Sequence, residues 1–343
     1  MIILGIDTSC DDTCVSALEF KNGKLKIESN VVSSQVKLHA KYGGVYPMLA
    51  KREHIKNLPS VYKEAVRGMR ETKIDFIGVT TGPGLEPCLW QGVNFARDLA
   101  KKLKKPLIHV NHIEAHILAN LLGRSLASIK FPAICLVVSG GHTQLILMKG
   151  VGKYKLIGET RDDAAGECFD KAARILGLSY PGGPVIALEA AKYNMRDAGY
   201  EIRLPRPMMY TKDYDFSFSG LKTAVLYEFQ KRSAKTRKSK GYVREMCKEI
   251  QQSIIDVLIW KTLKAAKDFK VKSAILGGGV TANQELRKQF EERIGKEIPS
   301  VKCLAPDAKY STDNAAMIAL TAYFHKNKKT DLRRIKVDAN LGV

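Results

Sequence analysis

The sequence predicts an α/β fold made of two related lobes, because two patterns of elements each occur twice along the chain. The first pattern is a hairpin. An apolar run at 2–6 leads through a polar bend into a second apolar run at 14–20, and residues 133–138 lead through Ser139–Gln144 into 145–148. Strands that alternate with helices in duplicated order are typical of an α/β architecture.

The second repeated pattern is a strand, a glycine-rich loop and a helix. A strand pattern at 74–79 runs into the loop 80–84 before a helix at 91–103, and the whole pattern returns at 273–292 around the loop 277–283. Further helical patterns lie at 48–67, 112–122, 166–176, 219–231, 243–267 and 311–326.

A chain of 343 residues is longer than a single hydrophobic core usually supports. We expect the lobe boundary near 123–131 and the last helix to pack back on the first lobe. The predicted domains are therefore 1–125 together with 311–343, and 126–310. Residues 311–314, at the start of the predicted last helix, would lie at the junction of the lobes.

The chain is strongly basic, with 56 Lys+Arg, 35 Asp+Glu and a formal net charge of +21. Its 45% hydrophobic and 27% charged residues exclude a disordered polybasic tail. Lys231–Lys248 carries eight basic residues and one acid, Glu245, and further clusters lie at 101–105 and 326–336. Each cluster alone is compatible with a solvated helix face, but the total charge makes nucleic acid the first partner to test.

The sequence predicts a soluble, cytoplasmic protein. Asp7, Asp11 and Asp12 interrupt the N-terminal apolar stretch before a signal peptide could form, and no run of 18 apolar residues indicates a membrane span. The seven cysteines include no C-x-x-C pair, which favours reduced thiols. Cys10 and Cys14 are interpreted as buried or turn cysteines rather than as ligands of a soft metal.

Glycine-rich bends after strands expose backbone N–H groups, and two such bends that face each other can clamp a phosphate between lobes. A single Gly-Gly turn is commonly only a tight hairpin. Four bends in duplicated order favour a nucleotide cleft. Neither a Walker A motif nor G-x-G-x-x-G after a first strand is present, which argues against P-loop and Rossmann folds.

His112-Ile113-Glu114-Ala115-His116 follows an apolar run at the start of a helical pattern. A spacing of four places both imidazoles on one helix face, as a metal ion requires, although a surface pair or a helix cap shows the same spacing. Asp313 is the best candidate for an anionic third ligand. Glu114 stands one position too late for the H-E-x-x-H of zinc proteases. The histidines predicted to be structural or at the surface are His39, His54, His109 and His325.

Several ordered motifs together resemble one known family over nearly the whole chain. The family is TsaD, the tRNA N6-adenosine threonylcarbamoyltransferases. The matching segments are GIDTSCDDT (5–13), YGGVYPMLAKREH (42–54), TTGPGLEPCLWQG (80–92), HIEAH (112–116), VVSGGHTQL (137–145), DDAAGECFDKAARILGLSYPGGP (162–184), DFSFSGLKTAV (215–225), GGGVTAN (277–283) and STDNAAMIA (311–319).

The resemblance implies an actin-like (ASKHA) two-lobe fold with nucleotide and metal in the cleft between the lobes. It implies transfer of threonylcarbamoyl from threonylcarbamoyl-AMP to N6 of adenosine 37 in tRNAs that read codons beginning with A. It also implies iron or zinc at His112, His116 and Asp313. The residues expected to hold the adenylate are Val137, Val138, Ser139, Gly140, Gly141, Asp170, Gly183 and Asn283.

Three positions qualify the resemblance. Asp7 stands where bacterial members usually have Glu, and Ala187 stands where some members place an acidic substrate contact. His142 resembles the bacterial and mitochondrial branch, which implies three partners besides tRNA: an inactive TsaB-like paralogue, a small TsaE-like ATPase and a synthase that supplies the adenylate.

In the expected reaction, the ion polarises the carbamoyl carbonyl, the glycine-rich loops fix AMP and the basic face docks the anticodon arm. Asp11 and Asp12 are either general bases or charged turn residues without a catalytic role. Three alternatives stay open: an actin-like ATPase or sugar kinase that binds tRNA without this transfer, a nucleic-acid-binding module without chemistry, and, least favoured, a metalloprotease.

Overall fold

Each half of the chain is built on one mixed five-stranded sheet in this computed structural model, which describes residues 1–194, 199–328, 331–332 and 334–343. The chain divides into two units, 1–128 with 306–343 and 129–305. These bounds differ by a few residues from the predicted domains, which were divided at 125 and 310.

The sheet of the first unit has the strand order β3-β2-β1-β4-β5. β1 pairs antiparallel with β2 and parallel with β4; β2 pairs antiparallel with β3, and β4 parallel with β5. The strands are β1 (Ile2–Asp7), β2 (Asp12–Lys21), β3 (Lys24–Ser34), β4 (Ile74–Gly82) and β5 (Leu107–Asn111).

The sheet of the second unit repeats this topology, with the corresponding order β8-β7-β6-β9-β10. β6 takes the place of β1, since it pairs antiparallel with β7 and parallel with β9. The strands are β6 (Ala133–Val138), β7 (Thr143–Gly150), β8 (Lys153–Glu159), β9 (Ser273–Gly277) and β10 (Lys302–Leu304). The predicted duplication is confirmed.

The predicted helices are present, with corrections at their ends, and three further helices at 36–39, 182–191 and 234–237 were missed. Because Asn314 caps the last helix by accepting the N–H of Met317 at 3.2 Å, that helix begins at Ala315 rather than at 311. The helices are α1 (Val36–His39), α2 (Pro47–Ala65), α3 (Glu86–Leu103), α4 (His112–Leu118), α5 (Ala165–Ile175), α6 (Gly182–Ala191), α7 (Ser219–Lys231), α8 (Ala234–Arg237), α9 (Lys240–Asp268), α10 (Gln284–Glu297) and α11 (Ala315–Phe324).

Helix α11 belongs to the first unit and packs on its sheet. Residues 315–322 are all buried, and a glycine on β1 permits the contact: a Cβ built at Gly5 would lie 2.2 Å from the carbonyl oxygen of Ala315. Within the part of the chain that the structure describes, no helix is both long and apolar enough to cross a membrane.

Substituting Gly5 with Ala should destabilise the first unit by about 1–3 kcal/mol, because the added methyl group forces α11 away from β1. The matched control is Gly295→Ala in α10, where nothing lies within 4 Å of an added Cβ. Thermal unfolding followed by circular dichroism would measure both variants. Equal midpoints for the two variants would show that α11 does not rest on Gly5.

Candidate functional site

The first site residues lie on α4, whose start is fixed by an asparagine cap at the end of β5. The Oδ1 atom of Asn111 accepts the N–H groups of Ile113 at 2.9 Å and Glu114 at 3.0 Å, so the helix begins at His112. The Nδ2 atom of Asn111 donates to the carbonyl oxygens of Leu341 and Gly342. One side chain therefore caps α4 and also binds the C-terminal segment to it.

His112, His116 and Asp313 lie together, although Asp313 is distant in sequence. The Nε2 atoms of the two histidines are 3.1 Å apart, and Asp313 Oδ1 lies 3.4 Å from the first and 3.2 Å from the second. Both imidazoles are buried. Asp313 precedes the cap of α11, which corrects the expectation that it opens the helix itself.

These three atoms fit the ligand set of one metal ion. Ligands roughly 2.0–2.1 Å from a tetrahedral ion are about 3.3 Å apart, close to the separations seen here. Two imidazole nitrogens and one carboxylate oxygen suit zinc or iron better than magnesium or calcium. The three residues form a group able to hold an ion, and their role as ligands stays a prediction.

A fourth residue, Asp7 at the end of β1, contacts the ring nitrogen of His112 that faces away from His116 and Asp313. Its Oδ2 atom lies 3.3 Å from His112 Nδ1, and its Oδ1 atom accepts the N–H of Ser9 at 3.1 Å. A carboxylate that holds the far nitrogen of a histidine fixes the tautomer and directs the other nitrogen toward a metal. This contact was not predicted from the sequence, in which Asp7 stood out as a departure from the family.

The two carboxylates determine the charge of the cluster. Burial lowers the pKa of His112, but Asp7 and Asp313 raise it more, to about 10. Burial and the charge of His112 lower the pKa of His116. Burial raises the pKa of Asp313, but the two imidazoles have the larger, opposite effect and bring this pKa well below its usual range. In the absence of a metal, His112 therefore carries a proton, which a bound ion would displace.

Glu114 lies on α4 between the two histidines but does not join them. Its Oε2 atom lies 2.8 Å from Nε2 of His325, in a partly buried contact that links α4 to the end of α11. The carboxylate that a metalloprotease would need as a general base is thus directed elsewhere, as the sequence predicts.

Of two further histidines, His54 contacts the bend after β1, and His39 bonds to Gln35 and to the N–H of Tyr46. His39 and His54 are fully buried, and His54 lies 2.7 Å from Thr13 Oγ1 and 3.0 Å from the carbonyl oxygen of Cys10. His109 is exposed on β5. These positions agree with structural or surface roles.

The acidic bend itself carries carboxyl groups of unusual pKa. Burial raises the pKa of Asp11, and burial raises that of Asp12 to about 7 against an opposing hydrogen bond from Ser34. A carboxyl group with a pKa near neutrality suits proton transfer, but a role for either residue stays a prediction. Cys10 and Cys14 stand outside the His-His-Asp group, and burial raises the pKa of both thiols.

In the second unit, β6 leads into the turn 139–141. The N–H of Ser139 donates to the carbonyl oxygen of His142, whose N–H donates to Ser139 Oγ. Gly140 and Gly141 are exposed, and nothing lies within 4 Å of a Cβ built on either. The side chains of Val137 and Val138 are fully buried, so these two residues offer a ligand only their backbone.

Two other segments pack against this turn through glycines. A Cβ at Gly166, in the first turn of α5, would lie 2.5 Å from the Ser139 carbonyl oxygen, which accepts the N–H of Gly166 at 3.2 Å. A Cβ at Gly278, after β9, would lie 2.4 Å from the carbonyl oxygen of Val138. The turn, the start of α5 and the loop after β9 therefore meet at one end of the sheet, where ligands of open α/β sheets bind.

The remaining predicted substrate residues have structural partners. Asp170 Oδ1 accepts the N–H of Gly182 at 2.7 Å, which joins α5 to the start of α6 beside Gly183. Asn283 caps α10 through Oδ1 and donates through Nδ2 to Gln251 at 2.8 Å. These two bonds hold the loop in place, and a role of Asn283 in binding the adenylate stays a prediction. Ala187 lies half-buried on α6.

Substituting Asp7 with Asn should weaken the affinity of the His-His-Asp group for a divalent ion roughly 10- to 100-fold, because His112 loses its orienting carboxylate. The control is Glu114→Gln, which removes a carboxylate from α4, the helix that carries both histidines. Because Glu114 does not contact the cluster, this variant should leave the affinity for the ion unchanged. Competition between the protein and a chromophoric zinc chelator measures both. Equal affinities in the two variants would exclude support of His112 by Asp7.

The fold resembles solved structures of low sequence identity. It matches component A of (R)-2-hydroxyglutaryl-CoA dehydratase from Acidaminococcus fermentans with a TM-score of 0.54 and 16% identity, over 95% of this chain and 99% of that one. It matches HypF of T. kodakarensis with a TM-score of 0.58 and 13% identity, over 95% of this chain and 47% of that one. At such identities the likeness shows the fold alone, and it confirms the duplicated actin-like (ASKHA) fold.

Sequence comparison identifies the family. Residues 26–320 match the family model for TsaD, tRNA N6-adenosine threonylcarbamoyltransferase. The chain is 47% identical over 325 residues to the protein of that name from Thermosipho africanus (strain TCF52B), covering 94% of each. It is 46% identical over 321 residues to that of Bacillus subtilis (strain 168), covering 93% of this chain and 89% of the relative. The chain therefore belongs to the TsaD family of tRNA N6-adenosine threonylcarbamoyltransferases.

Proposed function

We propose that this chain transfers the threonylcarbamoyl group of threonylcarbamoyl-AMP to N6 of adenosine 37 in tRNAs that read codons beginning with A. In this reaction the adenine amine attacks the carbamoyl carbon, a C–N bond forms, the C–O bond to phosphate breaks, and AMP leaves as the amine loses a proton. The convergence of His112, His116 and Asp313 in a member of this family is the observation that carries the proposal.

His112, His116 and Asp313 are the residues that would hold iron or zinc, with Asp7 orienting His112. When bound, such an ion supplies a Lewis acid able to polarise a carbonyl group. AMP is a good leaving group and an aromatic amine is a poor nucleophile, so the residues of the chain have mainly to position the two reactants and exclude water.

The second unit supplies the proposed adenylate-binding loops. The open backbone of Gly140 and Gly141, the start of α5 and the loop after β9 offer N–H groups to a phosphate. Val137 and Val138 would bind the adenylate through their backbone, and Ser139, Asp170, Gly183 and Asn283 complete the set of residues proposed to hold it. These assignments rest on the contacts described above and on the family.

The charge of +21 supports tRNA as the macromolecular substrate. The TsaB-like paralogue, the TsaE-like ATPase and the synthase are proposed partners on the ground of family membership alone. The cytoplasmic location remains part of the same proposal.

Replacing His112 or His116 with Ala should abolish modification, because the ion would lose one of its two nitrogen ligands. His109→Ala, which changes an exposed histidine of β5, should retain activity. Mass spectrometry of nucleosides would follow the reaction, starting from unmodified tRNA incubated with threonine, bicarbonate, ATP, the synthase and each variant with its partner proteins. An undiminished yield from folded His112→Ala or His116→Ala protein would refute the metal role.

Replacing Gly140 with Leu should block adenylate binding without unfolding the protein, because the side chain would enter space that the fold leaves open. We expect AMP, used as the probe, to bind at least about tenfold more weakly, the effect of losing roughly 1.4 kcal/mol. Gly295→Leu, also in open space, is the matched control. Isothermal titration calorimetry measures the affinity of both variants for AMP. Equal affinities would show that the nucleotide binds away from Gly140.

A further inference from the structure

The basic segment of the second unit separates into two sets of side chains with different positions. Six of the ten residues from 231 to 240 are basic and none is acidic. The segment runs from the end of α7 through α8 to the start of α9. Four of its lysines are exposed, and we call them the lysine corner: Lys231, Lys235, Lys238 and Lys240.

The two arginines of the segment hold the corner together. Arg232 pairs with Glu228 and donates to the carbonyl oxygen of Tyr200 at 2.8 Å. Arg237 donates to the carbonyl oxygens of Arg232 at 2.9 Å and Gln230 at 2.5 Å. These bonds tie the two connections between helices to their neighbours, so the backbone that carries the lysines is fixed before any ligand binds.

The lysines take no part in this framework. Among the described residues, no hydrogen bond or ion pair involves the ammonium group of any of the four. Glu228 already pairs with Arg232, and Glu245 accepts the N–H groups of Tyr200 and Ile202. The nearest acids in sequence are therefore engaged, and the positive charge of the corner is left for an external anion.

An aromatic side chain stands beside this charge. Tyr227 on α7 is 66% exposed and precedes Lys231 by one helical turn, so the two lie on the same helix face. RNA-binding surfaces combine cations for phosphates with exposed rings on which unpaired bases stack.

We propose that the lysine corner binds the sugar-phosphate backbone of the tRNA substrate while Tyr227 stacks on an unpaired base. The inference rests on the proposed function and adds to it the surface that docks the RNA. Phosphate contacts supply affinity and register rather than sequence specificity. The corner therefore governs how tightly tRNA binds and leaves the rate of the chemical step unchanged.

The test replaces all four lysines of the corner with Gln and compares a control with the same change of charge. The control replaces Lys270, Lys272, Lys296 and Lys302, which are also exposed. Helix α9 has 29 residues, so at about 1.5 Å per residue Lys240 and Lys270 lie roughly 40 Å apart. Filter binding of unmodified tRNA is measured at several salt concentrations.

The corner variant should bind tRNA at least about tenfold more weakly than the control, and its slope of log K against log salt should be smaller by about 3. A variant with all four lysines replaced by Arg should bind tRNA like the wild type. At saturating tRNA, turnover by the Lys→Gln variant should match that of the wild type. Tyr227→Ala should weaken binding roughly fivefold or more without changing the slope.

Equal tRNA affinity in the corner variant and the control would overturn the inference while wild-type modification of tRNA left the proposed function standing. Unchanged tRNA binding with weaker binding of heparin, a polyanion without bases, would likewise overturn it. Wild-type protein that neither binds nor modifies tRNA in the presence of its partners would contradict the proposed function, and the inference with it.

Discussion

The candidate chemistry depends on nitrogen and oxygen lone pairs that are held close together away from water. Two imidazole nitrogens and a carboxylate oxygen, mutually 3.1–3.4 Å apart, require a cation or a proton between them. Asparagine caps fix the positions of both segments that carry the ligands. Asn111 caps α4, which carries the two histidines, and Asn314, which follows Asp313, caps α11. The packing of α11 on α4 and on the first sheet then brings the segments together.

Because the fold is duplicated, the same bend occurs in both units and can contribute to a cation site in one and to an anion site in the other. In both units the first strand ends in a bend beside a glycine loop that follows the neighbouring parallel strand. In the first unit the bend carries Asp7, whose carboxylate supports a histidine. In the second unit the corresponding bend presents the bare backbone of Gly140 and Gly141. Carboxylates suit a cation and exposed N–H groups suit an anion, so the same geometry serves opposite charges.

The sequence predicts the parts of this molecule that local patterns encode. Buried strands, glycine loops and the His112–His116 spacing are visible in the chain, whereas β3, β8 and β10 were missed because edge strands carry charged residues and lack a continuous apolar pattern. The contact between Asp7 and His112 joins distant residues and depends on the fold. Nor does composition separate the arginines that hold the 231–240 segment from the lysines that face solvent, because only hydrogen-bond partners distinguish them.

The proposed chemistry depends on one metal site, whose ligands X-ray absorption at the metal edge of the loaded wild-type protein measures most directly. We expect two imidazole scatterers and at least one oxygen close to the metal, with nitrogen distances of roughly 2.0–2.1 Å for zinc. A shell of oxygens without imidazole, or one that contains sulfur from Cys10 or Cys14, would contradict this expectation.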